Sequence, residues 1–382
     1  MDLAECQGAM RTRIAQTEQE NEYRRDRETK FQPQAVQQDQ SSGDDQLPVL
    51  PPHLPRPEYA KTVHLIGQDD KEVSFYAACE LGLMPQVESF IQESNPSQAV
   101  RQFGLEQASF GNQPAVARYL LEHGTLLHDN VFLRRELGQP GDSPKDISIF
   151  DRERQESQDP LALVQVFLDF GWHPNQLWHG TQVPHNFPKA PFMECLTNRP
   201  LLTLLLSHGA DTALSRHNVS LYDKIPLDRR CGSVIDSAVG LWDPSLVALL
   251  VDHGAEPTYA RPLHKVVRWM GGPSRGPPFS QRRPMAEYLL SSGTAKVDDV
   301  KRITFSDIIH RPSPRKEDLT PFVYACAGQD WDMAEWLLEK GADADALGGK
   351  AFQPMYFMMP YYGPSDPKVV KALVEKIKNR ET

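Results

Sequence analysis

Three observations predict the fold class of this chain, an all-α solenoid of about eight helix-turn-helix repeats joined by extended loops. The first is a recurring signature that runs from apolar residues through polar ones to a glycine: LLEHG ending at Gly124, LLSHGAD around Gly209, LLVDHGAEP around Gly254 and WLLEKGADADA around Gly341. Weaker copies stand at Gly171 and Gly293, while FIQESN and LVEKIK put Ser94 and Ile377 at the glycine position. Apolar residues running into a glycine mark the last turn of a buried helix stopped by a left-handed residue. The second observation is the period. Positions 94 to 377 hold seven intervals over 283 residues, about 40 each, a spacing that signals stacked supersecondary units. The third is a shorter element ahead of several anchors. Thr320-Pro321-Phe322-Val323-Tyr324-Ala325-Cys326-Ala327-Gly328 opens with a capping hydroxyl, sets proline at the first helical position and continues through small residues. A helix pair of this size cannot bury its own apolar face and must stack on its neighbours.

Composition bounds the rest. The chain has 382 residues with 40% hydrophobic and 24% charged, ordinary values for a globular protein, which speak against wholesale disorder and against a membrane bundle. Its apolar runs are short, six uninterrupted residues at Leu246 to Val251 and Leu201 to Leu206 broken by Thr203, far short of the roughly 20 residues that cross a bilayer. The start, MDLAECQGAMRTR, has no apolar region of the secretory type, so the expected location is intracellular, cytoplasmic or nuclear. Five cysteines, Cys6, Cys79, Cys195, Cys231 and Cys326, are scattered without a C-x-x-C pair, a pattern of reduced thiols. A net charge of −10 does not draw the whole protein toward nucleic acid or an anionic membrane.

Residues 1–57 contain nine glutamines, the run QPQAVQQDQSSGDDQ and then LPVLPPHLPRP. Such a composition buries too little apolar surface to offset chain entropy, so residues 1–57 are expected to be a disordered Gln/Pro-rich arm, with a transient helix over the charged stretch Arg11 to Lys30. Pro52-His53-Leu54-Pro55-Arg56 has the P-x-x-P form read by polyproline-binding domains, though a stiff linker explains it as well. Residues 58–382 are the repeat domain.

The element at Thr320 to Asp343 resembles the ankyrin repeat, whose pattern begins T-P-L-H-x-A-A, passes a glycine between two helices and ends L-L-x-x-G-A. Val323 stands where that family has a histidine, and Asp330 stands at its inter-helix glycine. Arg261-Pro262-Leu263-His264 keeps three of the four leading residues; Ala190-Pro191-Phe192 and Ser233-Val234-Ile235 are more degenerate. Phe75 to Gly82 also fits, and helices at Leu105 to Phe110 and Val116 to Leu121 complete the next unit. In the third repeat the first helix falls on either Asn130 to Leu137 or Asp146 to Arg154. The resemblance covers about residues 70–378 and implies stacked helix pairs that bind other proteins. Against a 33-residue period the anchors leave about 52 extra residues, placed in long finger loops after Gly124, Gly209 and Gly293 and in an insertion near GGPSRGPPFSQ.

No catalytic or cofactor signature stands out. Gly272-Pro273-Ser274-Arg275-Gly276 matches the G-x-S-x-G nucleophile elbow, but that motif needs a strand before it and a helix directly after it, not a proline-rich insertion. His123, His208 and His253 each precede an anchor glycine, where an imidazole bonds the last carbonyls of a helix. His264 occupies the structural histidine position that the resemblance implies. The connection 172–187 gathers Trp172, Trp178, His173, His179 and His185, which suits an aromatic docking surface better than a metal site, since it holds no carboxylate or thiol. A basic group, Arg261, Lys265, Arg268, Arg275, Arg282 and Arg283, marks the sixth repeat.

The function expected is therefore that of a non-enzymatic adaptor or scaffold without cofactor. Its partner is another protein with an acidic or phosphorylated segment, bound through Trp172, Trp178, His179, Arg275, Arg282 and Arg283. An enzyme or metal protein built on the His/Trp loop and a nucleic-acid binder built on the arginines are the alternatives; no membrane partner is expected, and nucleic acid ranks below protein because no aromatic platform alternates with the arginines.

Overall fold

A computed structural model describes residues 3–12, 14–15, 54–55, 57–58, 69–136, 145–150, 158–176, 191–212, 232–267, 277–299, 320–344, 371–372 and 375. The chain divides into two compact units whose boundary along the sequence falls between Asp211 and Asp228.

The first unit is built from helix pairs. Residues 3–12, with 14–15, are helical and form α1. Then come α2 (Asp70–Leu81), α3 (Met84–Ser94), α4 (Gln98–Phe110) and α5 (Pro114–Glu122). Each start has a local cause: Asp69 accepts from the Glu72 N–H at 2.7 Å, Ser97 accepts from the Val100 N–H, and proline occupies the first turn of α3 and α5. First helices stack on first helices, α2 on α4, and second helices form their own row, α3 to α5 to α6 (Leu161–Asp169) to α8 (Arg199–Ser207), with the short α7 (Pro191–Glu194) against α8. The core lies between the two rows, around Phe75, Tyr76, Phe103, Leu105, Val116 and Leu120.

The second unit repeats the scheme. Its elements are α9 (Ser233–Val239), α10 (Pro244–Asp252), α11 (Pro262–Val266), α12 (Phe279–Ser291), α13 (Pro321–Ala327) and α14 (Trp331–Glu339). One row runs α9, α11, α13, the other has α10 against α12, and each pair is closed by contacts between its two helices.

The anchor glycines behave as expected. Gly124, Gly171, Gly209, Gly254, Gly293 and Gly341 all have φ between 74° and 90°. At five of them, Gly209 excepted, a Cβ would meet nothing within 4 Å, so the glycine answers a backbone requirement and not a shortage of room. The first anchor is shifted by one: Ser94 is still helical, and Asn95 takes the left-handed conformation at φ 40. Ile377 lies outside the described residues.

Two expectations are corrected. The third repeat has no α-helix at either candidate span among the described residues; a single 3-10 turn, Asp129–Val131, overlaps the start of the first. Leu133–Glu136 (β1) and Lys145–Ser148 (β2) form an antiparallel pair with Leu133 opposite Ser148 and Glu136 opposite Lys145. The helical class thus holds with one two-stranded ladder inserted. The arm 1–57 is also not wholly without structure. α1 lies on α2, with Cys6 and Met10 fully buried, the Cys6 thiol 3.3 Å from a Glu80 carboxylate oxygen and the Gln7 amide donating to Ser74 Oγ at 3.0 Å. Two buried side chains, Cys6 and Met10, with Ala9 half-buried beside them, sufficed for one docked helix. Residues 16–53 lie outside the described residues.

Candidate protein-binding site

The residues expected to anchor a partner fall into three groups. Trp178, His179 and Arg275 lie outside the described residues, as does the G-x-S-x-G segment.

Trp172 and Arg282 are placed differently from the surface positions expected of them. Trp172 is 3% exposed, and its ring packs 4.6 Å from Phe132 and 5.9 Å from Phe150, in a cluster that Phe167 completes. The reason is its position in the helix stop. Its N–H donates to the Phe167 carbonyl at 2.9 Å, as Thr125 does to Leu120, Ala210 to Leu205, Ala255 to Leu250 and Ala342 to Leu337. At these five stops the residue after the anchor glycine closes the helix end, and Thr125, Trp172, Ala210 and Ala255 are buried there. Alignment with Ala210, Ala255 and Ala342, all apolar, was the available signal.

Arg282 is 1% exposed. Spacings of three and four residues set it on one stripe of α12 with Met285, Ala286 and Leu289, all buried. Its guanidinium forms a two-pronged pair with Asp330, Nη1 to Oδ2 at 2.7 Å and Nη2 to Oδ1 at 2.8 Å, and donates further to the carbonyls of Val266 at 2.6 Å and Pro277 at 3.0 Å. Such a fork satisfies a charge that burial alone would expel. The left-handed inter-helix position is held by Gln329 at φ 56 and not by Asp330, which was expected there and stands one residue further on at φ −88, where its carboxylate meets Arg282. Arg283, one residue on, is exposed and bonded to Glu287 at 2.8 Å on the same helix.

The capping histidines follow the expected geometry. Nδ1 of His123, His208 and His253 lies 2.8, 2.9 and 2.8 Å from the carbonyls of Tyr119, Leu204 and Leu249. A carbonyl only accepts, so Nδ1 donates in all three. His264 is buried, edge-on to Tyr324 at 5.0 Å. The free thiols Cys6, Cys79, Cys195 and Cys326 are buried, and burial pushes the pKa of Cys326 up to about 12, which leaves it an unreactive thiol at neutral pH.

One polar surface escaped the sequence reading. Residues 102–110 of α4 are all buried, including Gln102, Glu106, Gln107 and Ser109. Gln102, Glu106 and Ser109 share a face at spacings of four and three. The connection after α5 runs along that face: Gln102 Nε2 donates to the Leu126 carbonyl at 3.4 Å, and Ser109 Oγ donates to the Val131 carbonyl at 2.5 Å. His128 is fully buried there, with Nε2 3.0 Å from the Gln102 carbonyl. Burial pulls its pKa down to about 4 against the upward effect of that carbonyl, so the ring is neutral at pH 7. Three polar side chains on one face of an otherwise buried helix were the legible hint.

Among the described residues no group of His, Cys, Asp and Glu is placed to hold a metal ion, and no helix is long and apolar enough to cross a membrane. Paired helices in two rows within each unit, with left-handed glycines at the helix stops Gly124, Gly171, Gly209, Gly254, Gly293 and Gly341, define a helical-repeat protein. Residues 317–346 match the family model of the ankyrin repeat, so the chain carries an ankyrin repeat at α13 and α14, where the consensus is best kept. No curated protein matches the chain.

Proposed function

We propose that this protein is a non-enzymatic adaptor, an ankyrin-type solenoid of about eight repeats that binds another protein. The observation that carries this reading is the ankyrin match at 317–346, on a helix pair whose glycine stop recurs at five other positions along the chain. Repeats of this kind give extended surfaces without a reaction centre. Within the reading, Trp178 and His179 in the 172–187 connection, and Arg275 and Arg283 around the insertion, remain the proposed anchors, because Trp and Arg dominate interface energetics. The long finger loops, an acidic or phosphorylated partner segment and an intracellular location belong to the same reading.

Affinity capture from source cells followed by mass spectrometry tests it. The expected result is a specific protein partner whose capture falls at least tenfold, about 1.4 kcal/mol, when Trp178 and His179 or Arg275 and Arg283 become alanine, with an unchanged thermal midpoint. Capture of no protein above background, or turnover of a small molecule by the purified chain, overturns the reading.

A further inference from the structure

The face of α4 just described is covered by one more piece of chain, which belongs to no repeat. Residues 54–55 (Leu-Pro) and 57–58 (Pro-Glu) lie against it more than ten residues ahead of α2. The Glu58 N–H donates to Gln102 Oε1 at 2.7 Å, the Pro55 carbonyl accepts from the Asp129 N–H at 3.3 Å, and Pro57 between them is buried. Gln102 is the hub: its amide nitrogen holds the Leu126 carbonyl, its amide oxygen holds Glu58, and its own carbonyl faces His128.

This contact has the form of peptide recognition. One carbonyl and one N–H, three residues apart, set the register through the main chain. Residues 55 and 57 are prolines, which have no N–H to leave unsatisfied and lose little conformational entropy when held in place. Nothing in these contacts requires the segment to be covalently joined to the repeats. We propose that the Gln102 side-chain amide and the Asp129 N–H, with His128 against the Gln102 carbonyl behind them, form a binding site for proline-containing peptide segments of P-x-P spacing, that residues 54–55 and 57–58 fill it in cis, and that a partner's segment engages by displacing them. The inference rests on the protein-binding reading above and names one surface and the peptide chemistry that surface takes. A tethered segment acts at an effective concentration of about 1 mM, so for an intrinsic Kd near 100 μM it weakens binding in trans about tenfold.

The probe is a fluorescein-labelled synthetic peptide of residues 50–62, titrated by anisotropy into two full-length proteins, one unaltered and one with residues 54–58 replaced by Gly-Ser-Gly-Ser-Gly. The altered protein is expected to bind at least tenfold tighter. Adding Gln102→Ala, or replacing both prolines of the peptide by glycine, is expected to abolish binding. Equal binding by the two proteins, or none by a replaced chain whose circular dichroism and melting match the parent, overturns the proposal. Hydrogen–deuterium exchange on the unaltered chain tests it without substitution. Saturating unlabelled peptide should speed exchange at the chain's own 54–58 while the Asp129 amide stays protected, because a new carbonyl takes the place of Pro55. Unchanged exchange at 54–58 overturns it as well. If the peptide fails while a partner is still captured by the full chain, this site is wrong and the adaptor reading stands; if peptide binds and no partner is captured, the reverse holds.

Discussion

The repeat at 320–341 and the two repeats at 69–124 solve the same stacking problem with different materials. In the later one, the first helix has only seven residues. Thr320 caps it by accepting from the Val323 N–H, and Phe322, Val323 and Ala325 sit in the core. Its turn carries Asp330, which ties the pair to Arg282 of the preceding α12. In the earlier pair, α2 and α4 have twelve and thirteen residues, and neither opens with the T-P pair. Longer helices leave more surface than neighbours of ordinary size can cover. Added segments cover it: α1 on α2, residues 126–131, 54–55 and 57–58 on α4. Among the described residues, the repeat that best keeps the ankyrin pattern packs on adjacent repeats, while the earlier pair also takes segments from outside the repeat.

The sharpest way to break this contrast is at the buried ion pair. Arg282→Ala or Asp330→Ala strands one charge in the core and is expected to lower unfolding free energy by about 3–5 kcal/mol in urea titration. The double change Arg282→Met with Asp330→Leu should restore much of the loss, because the pair's benefit is offset by the cost of taking two charges out of water. Equal losses in the single and double variants would show that the pair does not act as a unit. Next in size, Leu337→Ala, at a fully buried position of α14, should cost about 2–5 kcal/mol, with Leu338→Ala close behind. Leu126→Ala, at a side chain 57% exposed on the connection beside α4, should change stability by no more than about 0.5 kcal/mol. A large loss at Leu126 would mean that this connection is packed from outside by something further.

Acid should separate the two regions more gently. His128 titrates at about 4 in the fold and near 6.5 when exposed, so between those values the unfolded chain binds the extra proton. Its contribution is fully present above pH 6.5 and declines as pH falls toward 4, by about 2 kcal/mol at pH 5. His128→Gln, with neutral donors on the same side of the ring it replaces, should flatten the stability profile over that window. A profile as steep in the variant as in the parent would show that His128 is not the group responsible.

The parts that sequence made legible were those written in one-dimensional periodicity. The glycine stops, the capping histidines and the helix class come from local rules about φ, carbonyls and apolar spacing, and all of them are in place at the described anchors. What stayed hidden was pairing across distance. Arg282 looks like one basic residue among six until Asp330, 48 positions on, is brought against it. Trp172 looks like a loop aromatic until the helix stop folds it inward. The β1–β2 ladder joins two spans that each read as a marginal helix, and cross-strand partners decide such cases more than intrinsic propensity does. Residues 54–55 and 57–58 read as linker because Pro57, which is buried, gains its place from hydrogen bonds at its neighbours' main chain that composition cannot encode.

A small effect whose sign differs between the two regions lies in the turns between paired helices. Gly82, Asn112, Trp242 and Gln329 hold the left-handed position there, at φ 73, 52, 59 and 56. A non-glycine residue in this region carries about 1–2 kcal/mol of strain, and the two compared regions handle it differently. In the early pair, Gly82 has no strain but no room either, since a Cβ would fall 2.3 Å from Gln113 Oε1. In the late repeat Gln329 is exposed, so its side chain contributes little packing to set against the strain. Gln329→Gly should therefore stabilise, by about 0.5–1 kcal/mol once the larger freedom of glycine in the unfolded chain is subtracted. Gly82→Ala should do the opposite by about 1 kcal/mol, because alanine meets both the strain and the Gln113 amide. Urea midpoints of the two variants decide the sign. If Gln329→Gly destabilises instead, the glutamine side chain makes a contact worth more than its strain, and the late repeat too depends on a part from outside its own consensus.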